Sequence, residues 1–220
     1  MPVDKVQYES IREVLAARNA ILVAVSKTKP IEDIQALYNL GQRDFGENYM
    51  QELADKVPML PRDIRWHFIG YLQSNKVKHI VQFASMIHGI DRLTLLRAIE
   101  KESAKCKITM DCLLQVHIAQ EESKFGMNEQ ELQEVMQSLA LFPHVRVKGL
   151  MGMASFTKNT EQIRNEFALL KYLFDKYKGV QDPDMPWTVL SMGMSGDYRL
   201  ALEEGSTMVR IGSLLFGARR

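Results

Sequence analysis

The chain has 220 residues, 46% hydrophobic and 25% charged, a composition that suits one soluble globular domain with a full core. Lysine and arginine total 28 against 27 acidic residues, a formal charge of +1, so no strong field is expected to gather nucleic acid or another polyanion. Every apolar run falls short of the roughly 18 residues a membrane span requires, and the charges scattered through residues 1–19 argue against a signal peptide, which makes the cytoplasm the expected location.

A helix is predicted over residues 6–18, where Val6, Ile11, Val14 and Leu15 recur at helical spacing, followed by a buried strand at 20–26 (AILVAVS). Pro30-Ile31-Glu32-Asp33 opens a second helix that aligns Ile34, Leu37 and Leu40 and stops at Gly41. A short strand at 43–47 (RDFGE) precedes a helix through Met50, Leu53 and Val57, and a strand at 64–70 (IRWHFIG) precedes a helix at 75–83. The alternation continues with a strand at 86–90, a helix at 92–103, a strand at 108–118 and a helix at 128–141 carrying Leu132, Val135, Met136 and Leu139. A strand at 145–151 is followed by a long helix marked by Ile163, Phe167, Leu170 and Phe174; a strand at 188–191 by a helix at 198–204; and a strand at 207–211 by a helix at 214–220. No Pro/Gly/Ser-rich linker divides the sequence, and the densest breaker cluster, 179–186, is short.

Eight strand-then-helix units are the number that closes a TIM-type (β/α)8 barrel. The expected organisation is one α/β domain over 1–220, with a leading helix in 1–19 and the barrel in 20–220. An open doubly wound sheet uses the same alternation, but the first strand is followed by Ser26-Lys27-Thr28-Lys29-Pro30 and not by a Gly-rich fingerprint. The barrel is favoured, and its chemistry belongs at the C-terminal ends of the strands.

Those ends carry Lys27, Glu47 and Asn48, residues 67–70, residues 151–155, residues 191–195 and residues 210–213. Lys27 fits either a solvated lysine, as Lys29 is expected to be, or an amine made nucleophilic by apolar neighbours such as Val23 and Val25. Glu47 fits a general base or a helix cap. The turns after strands seven and eight, with Ser191, Gly193, Ser195 as expected N-cap, Gly212 and Ser213, suit the usual phosphate site of such barrels, or plain turn and cap chemistry. His67, His88 and His117 lack HxH or HExxH spacing, so no metal site is expected. The 13 methionines read as adaptable packing. Cys106 and Cys112 are too few and too widely spaced for a disulfide framework or a CxxC site; both read as free thiols, Cys112 in a strand.

The chain resembles the pyridoxal phosphate homeostasis protein family nearly end to end. The resemblance is carried by VSKTKP at 25–30, FGENY at 45–49 with Gln51 and Glu52, and WHFIG at 66–70 with LQSNK at 72–76. It continues through Ser123-Lys124 with Gly126, KGLM at 148–151, LSMGMS at 190–195 and GSTMVRIG at 205–212. The resemblance implies a single-domain barrel of the fold-type III class, like the N-terminal domain of alanine racemase, holding pyridoxal 5'-phosphate (PLP) as a Schiff base on Lys27. It assigns the phosphate to Ser191, Gly212 and Ser213 with Ser195 and Met194 nearby, the pyridine nitrogen to Arg210, and the pocket lining to Asn48 and His67. Serine stands at 213 where threonine is expected, which preserves the hydroxyl.

An arginine beside the ring nitrogen leaves that nitrogen unprotonated and the ring a poor electron sink. The implied role is therefore non-catalytic: intracellular PLP (vitamin B6) and amino-acid homeostasis by a cytoplasmic monomer, with PLP-dependent apo-enzymes as expected recipients and no nucleic-acid or membrane partner. The alternative is a PLP-dependent amino-acid racemase or decarboxylase, which needs a second acid or base opposite Lys27. The racemases add a β-rich second domain, and none is expected here. A cofactor-free Schiff-base aldolase is a third reading that the resemblance disfavours.

Overall fold

The computed structural model describes residues 3–121, 125–179 and 186–217. After α1 (Lys5–Ala16), strands and helices alternate as β1 (Ile21–Val25), α2 (Ile31–Asn39), β2 (Asp44–Glu47), α3 (Met50–Lys56), β3 (Arg65–Phe68), α4 (Val77–Ile80), β4 (Met86–Ile90) and α5 (Leu93–Cys106). The second half runs β5 (Met110–Gln115), α6 (Glu129–Ser138), β6 (Val145–Met151), α7 (Thr160–Tyr177), β7 (Val189–Ser191), α8 (Tyr198–Glu203), β8 (Met208–Ile211) and α9 (Ser213–Phe216). The strands pair in parallel and in sequence order, and β1 also pairs with β8, Val23 opposite Arg210. That last pairing closes the barrel and removes the open-sheet alternative.

Strand alternation sorts side chains into two apolar zones. Leu22, Ala24, Phe45, Trp66 and Phe68 join the main core between strands and helices. Val23, Met86, Leu113, Met151, Val189 and Met208 make a separate cluster that fills the barrel. The helices cover the outside by their apolar stripes: Ile163, Phe167, Leu170 and Phe174 of α7 are all buried, each such side chain contributing roughly 2 kcal/mol. α6 starts with a capping box, Asn128 Oδ1 accepting from Glu131 N and Glu131 Oε2 from Asn128 N, both at 2.9 Å.

Several elements are shorter than their sequence signals. The helix expected at 75–83 is a 3-10 turn at Ser74–Lys76 followed by the four-residue α4, because Phe83 N and Ala84 N both turn back to the Ile80 carbonyl and end it. The strand expected at 108–118 keeps only Met110–Gln115, with a register shift against β6 between Cys112 and Leu113. The helix expected at 214–220 is Ser213–Phe216, and 218–220 lie outside the described residues, as do Ser123 and Lys124 and most of the 179–186 cluster. Cys112 is buried in β5 and Cys106 is exposed. Among the described residues no helix is long and apolar enough to cross a membrane.

Candidate functional site

Lys27 lies two residues beyond β1, in a turn closed by Lys29 N donating to the Ser26 carbonyl at 3.0 Å. The turn forces Thr28 to φ +62, a left-handed conformation that costs a β-branched residue about 1–2 kcal/mol. Lys27 is half-buried and borders a cavity of about 570 Å³, shared with Val25, Phe156, Met194, Ser195, Asp197, Arg210, Gly212 and Ser213. Lys29 also borders it but is not the solvated lysine expected: its Nζ donates to the carbonyl of Phe216 at 2.8 Å and ties the turn to α9.

Across the cavity, the chain leaves β7 through Gly193 at φ +94, where a Cβ would stand 2.6 Å from that of Ala201. Met194 N then donates to Asp197 Oδ1 at 2.6 Å, and Asp197, not Ser195, is the N-cap of α8. Ser195 stands two residues before that cap, inside the turn closed by Asp197 N and Tyr198 N donating to the Met194 carbonyl. Its hydroxyl instead accepts from Gly212 N at 3.3 Å, joining the exits of β7 and β8. At Gly212 a Cβ would come within 3.1 Å of the Val25 carbonyl oxygen, so glycine lets the β8 exit lie close against β1.

Arg210 is buried between these turns. One guanidinium nitrogen donates to Ser191 Oγ at 2.6 Å and to the Ser191 carbonyl at 2.9 Å; another donates to the Gly152 carbonyl at 3.0 Å. Burial lowers its pKa to about 10, which leaves it charged at neutral pH. From Ser191 the contacts continue down the barrel interior: His88 Nδ1 lies 3.4 Å from Ser191 Oγ, His88 Nε2 lies 2.9 Å from His67 Nδ1, and His67 Nε2 lies 3.0 Å from Asp44 Oδ1. The path therefore runs from the cavity wall to the first residue of β2. Desolvation, aided by His67 and Arg210, holds His88 well below the usual histidine pKa, so it is neutral. Burial opposes ionisation of Asp44, but hydrogen bonds from His67 and Arg65 outweigh it and lower its pKa.

On the outer side of β1 and β2 lies a second polar cluster. Glu47 is fully buried and accepts from Ser26 Oγ at 2.6 Å and Lys56 Nζ at 2.8 Å. Burial raises the Glu47 pKa, and Lys56 offsets only part of the effect. Glu47 is thus neither a cap nor a base facing the cavity. Its position on the Phe45 face of β2 turns it toward α3.

Of the residues singled out from sequence, Lys27, Met194, Ser195, Arg210, Gly212 and Ser213 border one cavity. Ser191 stands behind Arg210 and does not border it. Asn48 follows β2 with a buried Oδ1 that has no partner among the described residues, and His67 lies inside the barrel at 3% exposure. Sequence reasoning passed over Lys56 and Asp44, weighed His88 only against a metal site, and gave Glu52 no role of its own. Lys56 carried one usable signal: it shares a helical face with Leu53, and a cation on a buried face implies a buried acid.

An aldehyde-bearing aromatic phosphate fits these residues chemically. The cavity offers a primary amine, a charged guanidinium and, at Ser195, Gly212 and Ser213, small donors next to unencumbered backbone. A parallel eight-stranded barrel with this amine after β1 and these turns after β7 and β8 defines a single alanine-racemase-type barrel, and the family model described as alanine racemase, N-terminal domain matches residues 5–220. The pyridoxal phosphate homeostasis protein of Aquifex aeolicus is 41% identical over 202 residues, 91% of this chain and 88% of the relative. PipY of Synechococcus elongatus is 33% identical and superimposes with a TM-score of 0.90 without PLP and 0.87 with PLP bound, each covering 96% of this chain and 98% of that one. The chain belongs to the pyridoxal phosphate homeostasis protein family. Alanine racemase from Bartonella henselae, at 17% identity, shares the fold alone, with a TM-score of 0.74 over 96% of this chain and 59% of that one.

Proposed function

We propose that this protein binds pyridoxal 5'-phosphate reversibly through Lys27 and serves PLP and amino-acid homeostasis without catalytic turnover, as a cytoplasmic monomer. The observation that carries the reading is the shared cavity: the Lys27 turn and the buried, charged Arg210 border the same space as Ser195, Gly212 and Ser213. When bound, the cofactor supplies an aldehyde carbon that an amine can join reversibly with loss of one water. Lys27 supplies the amine. Ser195, Ser213 and the Gly212 turn supply donors for the phosphate, and Ser191 acts through Arg210 by holding its guanidinium in place. Asn48 and His67 serve the pocket from behind its wall, the first with its buried Oδ1, the second through the His88 contacts.

Two features support binding without turnover. Arg210 keeps a positive charge on the cavity wall, which opposes a further proton on any heteroatom beside it. Among the described residues bordering the cavity, the other ionisable groups besides Lys27 are Lys29, held by the Phe216 carbonyl, and Asp197, held by Met194 N. Neither is a proton donor placed opposite Lys27 by a partner that leaves it available. The receiving partners in this reading are PLP-dependent apo-enzymes.

The test is the visible spectrum of the protein incubated with PLP, followed by borohydride reduction and peptide mapping, on wild type and Lys27→Ala. A yellow band fixed by reduction to Lys27 and absent in the variant is the expected result. A colourless protein, or label scattered over surface lysines, overturns the assignment. Steady turnover of a D- or L-amino acid by the loaded protein overturns the non-catalytic reading.

A further inference from the structure

We propose that Lys56, with Glu47 and Glu52, is a positioning residue that clamps the backbone on both sides of Lys27. This inference rests on Lys27 being the attachment point. On the upstream side, Lys56 Nζ donates to the Ser26 carbonyl at 2.9 Å, and Ser26 Oγ donates to Glu47 Oε1 at 2.6 Å. On the downstream side, Thr28 N donates to Glu52 Oε2 at 2.7 Å. Lys56 joins the two by donating to Glu47 Oε1 at 2.8 Å and Glu52 Oε2 at 2.7 Å.

An ammonium has three protons, and all three of Lys56 are engaged. Its side chain is 8% exposed and that of Glu47 is 0% exposed, so the pair is shielded from water and its geometry is held far more strictly than that of a surface ion pair. The device addresses a specific difficulty. Lys27 sits in an irregular turn whose next residue, Thr28, has φ +62, a conformation that persists only where the surroundings enforce it. β1 ends at Val25, so its strand pairing cannot fix the turn beyond Ser26. The clamp does, from α3 and β2, on the face of the turn opposite the cavity. It touches neither the cavity wall nor its donors, and so acts on attachment only through where it puts Lys27.

The experiment compares wild type, Glu52→Ala, Glu52→Gln, the paired change Glu47→Gln with Lys56→Met, and Gln51→Ala as a control on the exposed face of α3. The pair removes both buried charges together so that neither is left uncompensated, and Glu52 is partly exposed, so its variants test the clamp even if the pair does not fold. Each protein is incubated with sub-saturating PLP, trapped with borohydride over time and peptide-mapped. Hydrogen exchange of the peptide carrying residues 21–30 is followed in parallel without PLP, with the thermal midpoint as a fold control.

In Glu52→Ala and in the pair, trapping at Lys27 is expected to slow at least fivefold, with faster exchange in that peptide and a cooperative thermal transition retained. Glu52→Gln keeps an acceptor for Thr28 N and is expected to recover most of the rate; Gln51→Ala is expected to match wild type. Trapping rates at Lys27 within twofold of wild type in folded Glu52→Ala and in the folded pair overturn the clamp while leaving the functional reading intact. Wild-type label on other lysines overturns the functional reading and this role with it, whatever the exchange data show.

Discussion

His88 Nε2 and His67 Nδ1 lie 2.9 Å apart inside a closed barrel, with His88 fully buried. Two rings in such contact share one proton at that junction, and a charge on His88 would face both His67 and Arg210. Folding therefore selects neutral His88, whose folded pKa is depressed. The unfolded chain takes up a proton there near the ordinary histidine value of about 6.5 that the folded chain refuses, so this contribution is present above that pH and is lost as pH falls. Unfolding free energy is expected to drop between pH 7 and 5 from this site, by up to about 2 kcal/mol, the ceiling that one histidine of ordinary unfolded pKa sets over that range. Urea titrations at several pH values check it: His88→Gln should flatten that slope, whatever its effect on absolute stability.

A second acid-sensitive window comes from Glu166. Burial pushes its pKa up, but Ser155 Oγ and Ser155 N, at 2.7 and 2.6 Å, together with Gln162 and Gln120 N, overcome burial and leave it lowered. Stability from Glu166 is present above the ordinary carboxylate range and lost as pH falls below about 4. Glu166→Gln should cost about 1–3 kcal/mol at pH 7 and reduce the steepness of acid unfolding below pH 4 while leaving the slope between pH 5 and 7 unchanged. Tryptophan fluorescence against pH separates the two windows.

Much of this architecture was legible in the chain, because each strand and helix advertises itself by its own period and each strand end is a short list. Lys27, Arg210 and Gly212 stand out that way as strand-end residues, and all three border the cavity. What stayed hidden was polar contact between elements. His88 and His67 lie 21 residues apart, and neither looks different from a satisfied core histidine until the barrel closes. Glu47 was read at a strand end without asking which face it took; pairing it with Phe45 at two-residue spacing turns it outward, toward a helix that has yet to supply a cation. Ser195 misled for a local reason: α8 starts two residues later than its cap signal implied, with Asp197 at the N-cap position, and the Ser195 hydroxyl turns to Gly212 N instead. Short elements such as α4 failed because an apolar stripe does not record where the backbone turns.

Gly193 offers a test of the β7 exit. Any other residue meets both a left-handed φ of +94 and the Ala201 side chain at 2.6 Å from its Cβ. Gly193→Ala is expected to destabilise the protein by roughly 2–4 kcal/mol and to weaken PLP binding, because the same loop carries Met194 and Ser195 to the cavity. Chemical denaturation gives the first quantity and absorbance titration with PLP the second. An alanine accepted within 0.5 kcal/mol would mean that the loop relaxes freely and that its conformation does not set the cavity.

Arg210 yields a prediction in which stability and binding part company. Replacing it with glutamine removes a cation whose desolvation is costly, and the amide can still donate to one or two of its three acceptors, the Ser191 hydroxyl and the carbonyls of Ser191 and Gly152. The two effects oppose each other, so Arg210→Gln should shift unfolding free energy of the apo-protein by no more than about 2 kcal/mol. Binding has no such offset: the cavity loses its buried positive charge, and a charge-assisted contact worth about 1.5–3 kcal/mol corresponds to a rise in the Kd for PLP of roughly ten- to hundredfold. The residual complex should also show a shifted absorption maximum, since removing the charge relaxes the bar to protonation on that wall. Titration of wild type and Arg210→Gln at equal pH, with unfolding curves of both, decides it: an unchanged Kd would place the Arg210 charge in the structure of the barrel alone.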